Sequence, residues 1–197
     1  MKLSVLIITY NHEKFISRAI ESVLSQQVKF DYEIVIGEDC SKDSTRNIVL
    51  DYKNKFPEKI RLLLPDENLG MNKNLIQTFH QCSGEYVALL EGDDCWLSSD
   101  KLQLQVDLLD RDQSCAMCFH DVVQFNYSTG QAAKWVLRSR QERYYLEDVL
   151  QGNFIPTGAV VFRRHLISQF PEFSLKLGML DWLINVLVAS HGSIAFL

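Results

Sequence analysis

The stretch "YVALLEGDDCW" (residues 86–96) runs from a continuous apolar segment, Tyr86 to Leu90, straight into three carboxylates, Glu91, Asp93 and Asp94. An apolar run without polar alternation is the pattern of a strand buried on both faces, as in a parallel sheet sandwiched between helices. Carboxylates packed this closely repel one another and are costly to bring together unless positive charge sits between them. The segment therefore predicts a buried strand that delivers acids to the edge of a sheet, and it asks what offsets their charge.

Working outward, the same strand pattern recurs between helical ones. "LSVLIITY" (3–10) is another nearly continuous β-rich run. Asn11 offers a helix cap after it, Glu13 favours the first turn, and Phe15, Ile16, Ala19, Ile20, Val23 and Leu24 fall on one helical stripe. "YEIVIG" (32–37) and "IRLLL" (60–64) read as strands, with a helix between them that places Ile48, Val49, Tyr52 and Phe56 inward. A helix from about Asn72 to Gln81 leads into the strand at 85–90, and "SSDKLQLQVDLLD" (98–110) begins the next helix, capped by Ser99 or Asp100. This βαβαβαβα order predicts an α/β fold, a mostly parallel sheet flanked by helices on both faces.

After residue 110 the alternation becomes irregular. "CAMCFHDVVQFNY" (115–127) reads as one strand, "STGQ" as a turn and "AKWVLRSR" (133–140) as a polar stretch without clear pattern. "LEDVLQGN" suggests a short helix, "GAVVFRR" (158–164) a strand, "LDWLINVLVASHG" (180–192) an apolar helix, and "SIAFL" a further strand that breaks off. No linker or internal repeat divides the chain, so one domain is expected, with a first half at 1–110 and an irregular second half at 111–197.

Bulk properties exclude several classes. Hydrophobic and charged fractions of 47% and 23% are those of a globular protein. A formal net charge of −5 argues against a general nucleic-acid binder. No apolar run approaches the ~18 residues that span a bilayer. Five scattered cysteines, an odd number, argue against a disulfide framework and for a reducing compartment. "CAMC" (115–118) has metal-ligand spacing but lies in an apolar run, and reads as core.

In open parallel sheets, ligands bind beyond the carboxyl ends of the strands. There the first strand places Thr9, Tyr10 and Asn11, the second Glu38 and Asp39, and the fourth Glu91, Gly92, Asp93 and Asp94. No glycine-rich phosphate cradle follows any strand. A hard divalent cation, Mn²⁺ or Mg²⁺, would offset the carboxylates and bridge to diphosphate oxygens. The competing account is a solvated loop with Asp as turn former.

The blocks "VLIITYNHEKFISRAIESVLSQQ", "EIVIGEDCSKDST", "NLGMNKN", "GEYVALLEGDD" and "LDWLI" resemble, in order, those of the inverting family-2 glycosyltransferases of GT-A type, with their Rossmann-like nucleotide-diphospho-sugar transferase fold. The resemblance covers essentially the whole chain and is strongest over residues 3–110. It implies transfer of a sugar from a nucleotide-diphosphate donor, a UDP-sugar first, to a hydroxyl of a saccharide or lipid-linked saccharide. Asp39 then matches the acid facing the nucleotide base, with Thr9 and Tyr10 in the same pocket. Lys73 stands where many members have Arg. Asp93 matches the first acid of a D-x-D-like pair, facing ribose or metal, and Asp94 the direct metal ligand. Asp181 matches the catalytic base, although an acid in the first turn of the following helix is also ordinary capping chemistry. Thr157 borders the acceptor side, and Glu91 has no assigned role.

Trp96 and Trp182 read either as sugar-stacking or core residues, and His120 as a hydrogen-bonded histidine. The resemblance further implies envelope polysaccharide synthesis in the cytoplasm, with peripheral association at the inner membrane face. It also implies that further residues follow Leu197. Two rivals remain: a sugar nucleotidyltransferase, disfavoured because "TYNHEKF" lacks glycine, and a non-catalytic nucleotide- or carbohydrate-binding module on the same scaffold.

Overall fold

The structure is a computed structural model that describes residues 1–135 and 141–197. Its first half alternates as expected: strand β1 (Leu3–Thr9), helix α1 (Ile16–Leu24), β2 (Tyr32–Glu38), α2 (Thr45–Lys55), β3 (Ile60–Leu63), α3 (Met71–Gln81), β4 (Tyr86–Glu91) and α4 (Lys101–Arg111). The second half contributes β5 (Cys115–Phe119), β6 (Val122–Asn126), β7 (Gln131–Trp135), β8 (Arg143–Tyr144), α5 (Leu146–Gln151), β9 (Val161–Arg163), α6 (Leu180–Ala189) and β10 (Ser193–Phe196). A 3₁₀ turn at Thr157–Ala159 precedes β9.

Eight strands form one sheet in the order β3-β2-β1-β4-β9-β5-β10-β8. The pairs β1–β2, β1–β4, β2–β3 and β5–β10 are parallel. β9 runs antiparallel between β4 and β5, and the two-residue β8 is antiparallel to β10. The expected mostly parallel sheet with helices on both faces is therefore observed.

Strand alternation explains the unbroken apolar runs. On β1, Leu3, Val5 and Ile7 enter one core with α1, α2 and α4, while Leu6 and Ile8 enter the other with α3, α5 and α6. On β4, Tyr86, Ala88 and Leu90 face the first core, and Val87 and Leu89 the second. Each fully buried aliphatic side chain contributes roughly 1.5–3 kcal/mol of transfer free energy, so both faces must be apolar. All five cysteines are free, and Cys115 and Cys118 are buried in β5 as expected of core residues.

Three expectations are corrected. The first helix starts at Ile16 rather than after Asn11. Asn11 has a φ of 56°, its N–H donates to Ser41 Oγ and its Oδ1 accepts from the Lys42 N–H, so its side chain ties the loop after β2 instead of capping a helix. The run 115–127 is two strands, because after Phe119 the chain leaves the large sheet. β6 and β7 form a separate, largely exposed hairpin. Phe56 follows the last turn of α2 and is exposed rather than inward. The polar stretch 133–140 lies mostly outside the described residues.

Candidate active site

The β-sheet register brings the sequence-distant acids to one edge. Thr9 pairs with Glu38 across β1–β2, and Ile8 with Glu91 across β1–β4, so the segments after all three strands emerge side by side. The acidic loop itself is tight. The Gly92 N–H donates to Ile8 O, and the Asp94 N–H donates to Glu91 O. A Cβ on Gly92 would lie 2.4 Å from Thr9 Oγ1, 2.7 Å from Thr9 Cβ and 2.9 Å from His12 Nδ1, so only glycine allows this approach.

Electrostatics answer the question raised by the sequence. Among the described residues, no Lys or Arg pairs with Glu91, Asp93 or Asp94; His12 Nε2 stands 3.9 Å from Asp93 Oδ2. Burial, reinforced by the charges of Asp94, Asp93 and Asp181, pushes the Glu91 carboxyl up to about 7. Partial burial and the Asp93 charge raise Asp94 above the usual carboxylate range, with His12 acting in the opposite sense. Among the described residues, no Lys or Arg offsets the charge of the loop.

Asp181 reaches the same place from the far end of the chain. It lies in the first turn of α6, and its Oδ2 accepts a 2.7 Å bond from Asn153 Nδ2. Asn153 Oδ1 in turn accepts from the buried Asn185 Nδ2 at 3.4 Å. Glu91, Thr157 and Asp181 line one concavity of about 130 Å³, floored by Ile8, Leu75 and Leu89. An adjoining one is lined by Asn153, Ile155, Pro156, Thr157 and Asp181. Both are smaller than the usual ~300–1,000 Å³ of an enclosed ligand chamber, so they form the floor of an open cleft.

The remaining candidates divide. Asp39 is buried beside Thr9, whose carbonyl accepts the Asp39 N–H. Its carboxylate already accepts from the Leu69 N–H (2.7 Å) and the Gly70 N–H (3.0 Å), pinning the loop before α3, where Gly70 has a φ of 83°. That uses two of about four acceptor positions. Tyr10 is half-buried next to Thr9. Lys73 is exposed in the first turn of α3 and makes no hydrogen bond or ion pair among the described residues. Glu38, fully buried, pairs with Arg46 and accepts from the Ser41 N–H, a structural role.

Trp96 is core, its indole N–H donating to Gly158 O, and Trp182 packs half-buried with its N–H on Val149 O. His120 departs from expectation. Its Nδ1 lies 2.7 Å from Asp121 O, but Nε2 is buried without a partner, and burial pushes the imidazole down to about 4. Asn153 and Asn185 are not marked by any local pattern, since only long-range packing brings Asn153 onto Asp181 and Asn185.

Among the described residues, no group of three or more His, Cys, Asp or Glu side chains could hold a metal ion by itself. Asp93 and Asp94 remain suitable as two hard oxygen ligands. Mg²⁺ and its relatives are commonly held by one or two carboxylates, with water and substrate phosphates completing the shell.

Comparison with known proteins identifies the family and the fold. Residues 4–170 match Glycosyl transferase family 2. The chain belongs to that family. A family relative, the uncharacterized protein Rv1520 of Mycobacterium tuberculosis, is 32% identical over 195 residues, covering 99% of this chain and 56% of its own length. The poly(ribitol-phosphate) beta-N-acetylglucosaminyltransferase TarS of Staphylococcus aureus is 33% identical over 115 residues, 58% of this chain and 20% of TarS. The crystal structure of TarS 1–349 with UDP superposes with a TM-score of 0.77 at 23% identity, covering all of this chain and 58% of that one. Mannosyltransferase PcManGT from Pyrobaculum calidifontis, in complex with GDP-Man and Mn²⁺, gives 0.73 at 18% identity, covering 100% and 54%. These likenesses establish the GT-A fold. The chain spans about half the length of relatives such as Rv1520. Among the described residues, no helix is long and apolar enough to cross a membrane.

Proposed function

We propose that the protein transfers a sugar, with inversion, from a nucleotide-diphosphate donor to an acceptor hydroxyl. The observation carrying this reading is that Glu91 and Asp181, some 90 residues apart, line one concavity, with Asp93 and Asp94 close enough to Glu91 to help raise its carboxyl. A donor-side acid cluster facing a lone, amide-oriented carboxylate is what an inverting displacement requires.

In this reading Asp39, Thr9 and Tyr10 receive the base, and Lys73 approaches the diphosphate from the start of α3. Asp93 and Asp94 would hold Mn²⁺ or Mg²⁺, and the cation would supply charge neutralisation for the diphosphate. Asp181 accepts the proton of the acceptor hydroxyl as its oxygen bonds to the anomeric carbon and the bond to the diphosphate oxygen breaks. Asn153 holds Asp181 through Oδ2. Glu91 lines the concavity with Asp181, and when ionised its carboxylate favours an oxocarbenium-like centre. The fold neighbours bound to UDP, UDP-GlcNAc and GDP-Man support a nucleotide-sugar donor, with a UDP-sugar the first to test. TarS, by its name a transferase to poly(ribitol-phosphate), supports an acceptor that offers polyol hydroxyls, which a saccharide or lipid-linked saccharide also does. The work would be done in the cytoplasm at the inner membrane face.

Asp181→Asn in the full-length protein tests the assignment. It should keep nucleoside-diphosphate affinity while transfer falls at least ~100-fold, the lower range for loss of a general base. Proton NMR of the wild-type product should show inverted anomeric configuration. Retained transfer in Asp181→Asn, or retained configuration, overturns it.

A further inference from the structure

Two side chains that the reaction does not use, Trp96 and Gln105, bond the backbone of the Thr157–Ala159 turn, and a third, Lys101, supports both from behind. Trp96 Nε1–H donates to Gly158 O at 2.8 Å. Gln105 Nε2 donates to Ala159 O at 2.9 Å and to Cys118 O at 3.3 Å. Gln105 Oε1 accepts from Lys101 Nζ at 2.6 Å, and that nitrogen stands 4.2 Å from the centre of the Trp96 ring. Trp96, Lys101 and Gln105 are 8%, 5% and 1% exposed. A buried lysine without a carboxylate partner is costly, and a buried glutamine is tolerated only when its donors and acceptors are satisfied. Here each satisfies the next, and the chain of bonds ends on two adjacent carbonyls.

Those carbonyls belong to the turn that separates the two sides of the cleft. A Cβ on Gly158 would lie 3.4 Å from Asp94 Oδ2. Thr157 lines both concavities together with Asp181. Trp96 is itself two residues beyond Asp94, and its N–H is fixed to Ser22 Oγ at 3.1 Å. Donor-side loop and acceptor-side turn are thus joined through buried hydrogen bonds rather than through the cleft.

We propose that Trp96, Lys101 and Gln105 form a clamp of positioning residues that fixes the Thr157–Ala159 turn against Asp94, setting the spacing between the donor acids and the Asp181 side. The clamp is independent of the assigned reaction; its effect on turnover rests on the proposed sugar transfer. A misplacement of about 1 Å at a reacting centre can cost ~100-fold in rate, so a device for holding this spacing has a use.

Two substitutions in the full-length protein test it. Trp96→Phe keeps the aromatic face for Lys101 but removes the bond to Gly158 O, and Gln105→Leu removes the bond to Ala159 O. Amide hydrogen exchange at residues 158–160 should speed at least tenfold in each, with the amides of β1 and β4 unchanged. Kinetics should show kcat for transfer lowered at least tenfold, with UDP affinity within threefold of wild type and a larger share of donor lost to water. A merely structural role would instead move exchange across the whole sheet, UDP affinity and turnover together. Unchanged exchange at 158–160, or a uniform loss, overturns the clamp. Wild-type protein that binds no nucleoside diphosphate would remove the transfer reading while the exchange result still decides the clamp.

Discussion

Glu91 acquires its meaning from neighbours that no local window contains. Asp93 and Asp94 are close in sequence, but Asp181, some 90 residues on, also contributes to raising its carboxyl and lines the same concavity. Gly92 beside it is fixed by space rather than by turn chemistry, because Thr9 lies on a buried strand that cannot withdraw. Gly92→Ala should therefore destabilise the fold by about 1–3 kcal/mol, the usual cost of forcing extra volume into a packed region. Urea denaturation measures this directly, and a midpoint equal to wild type would refute the close approach. The sequence signalled the acids and the glycine; it did not signal why this glycine must be one, since Thr9 and His12 lie some 80 residues upstream.

Helices and strands were legible where their patterns are local. β1, β2, β4 and α3 follow from runs and stripes within ten residues, and they appear close to their expected bounds. α1 began later than expected because Asn11 bonds to a loop that arrives from β2, a long-range choice that overrides its capping propensity. α4 carries a feature invisible to amphipathic reading, a lysine at its first position turned inward. Burial pushes the Lys101 amine down to about 7, with the nearby Cys118 opposing. The native amine therefore gives up its proton near pH 7, whereas the unfolded chain keeps it to about 10.5. Below pH 7 both states are charged and the native state bears the full cost of burial. Between pH 7 and 10.5 the unfolded state holds the extra proton, so stability rises with pH. Lys101→Met leaves Gln105 Oε1 without its donor at every pH but removes this dependence. The Tm difference, variant minus wild type, should be more positive at pH 6.5 than at pH 9.5; a difference independent of pH would mean that Lys101 is not buried as described.

At the scale of the molecule, the acid edge could be foreseen because a parallel sheet gathers successive strand ends in one place. The insertion of antiparallel β9 between β4 and β5 could not, and it is this insertion that carries the Thr157–Ala159 turn to the acids. The pairing of Asp181 with Asn153 depends likewise on how α6 meets the segment after α5, beyond the reach of spacing. In the proposed reaction Asp93 and Asp94, which have no Lys or Arg partner among the described residues, would be completed by a divalent cation and a diphosphate. Isothermal titration calorimetry of UDP into the full-length protein, with Mn²⁺ and again with chelator, tests that claim most directly. Binding should weaken at least tenfold in chelator, and Asp94→Asn should bind UDP in Mn²⁺ no better than wild type does in chelator. UDP affinity that is the same with and without Mn²⁺ would contradict the account.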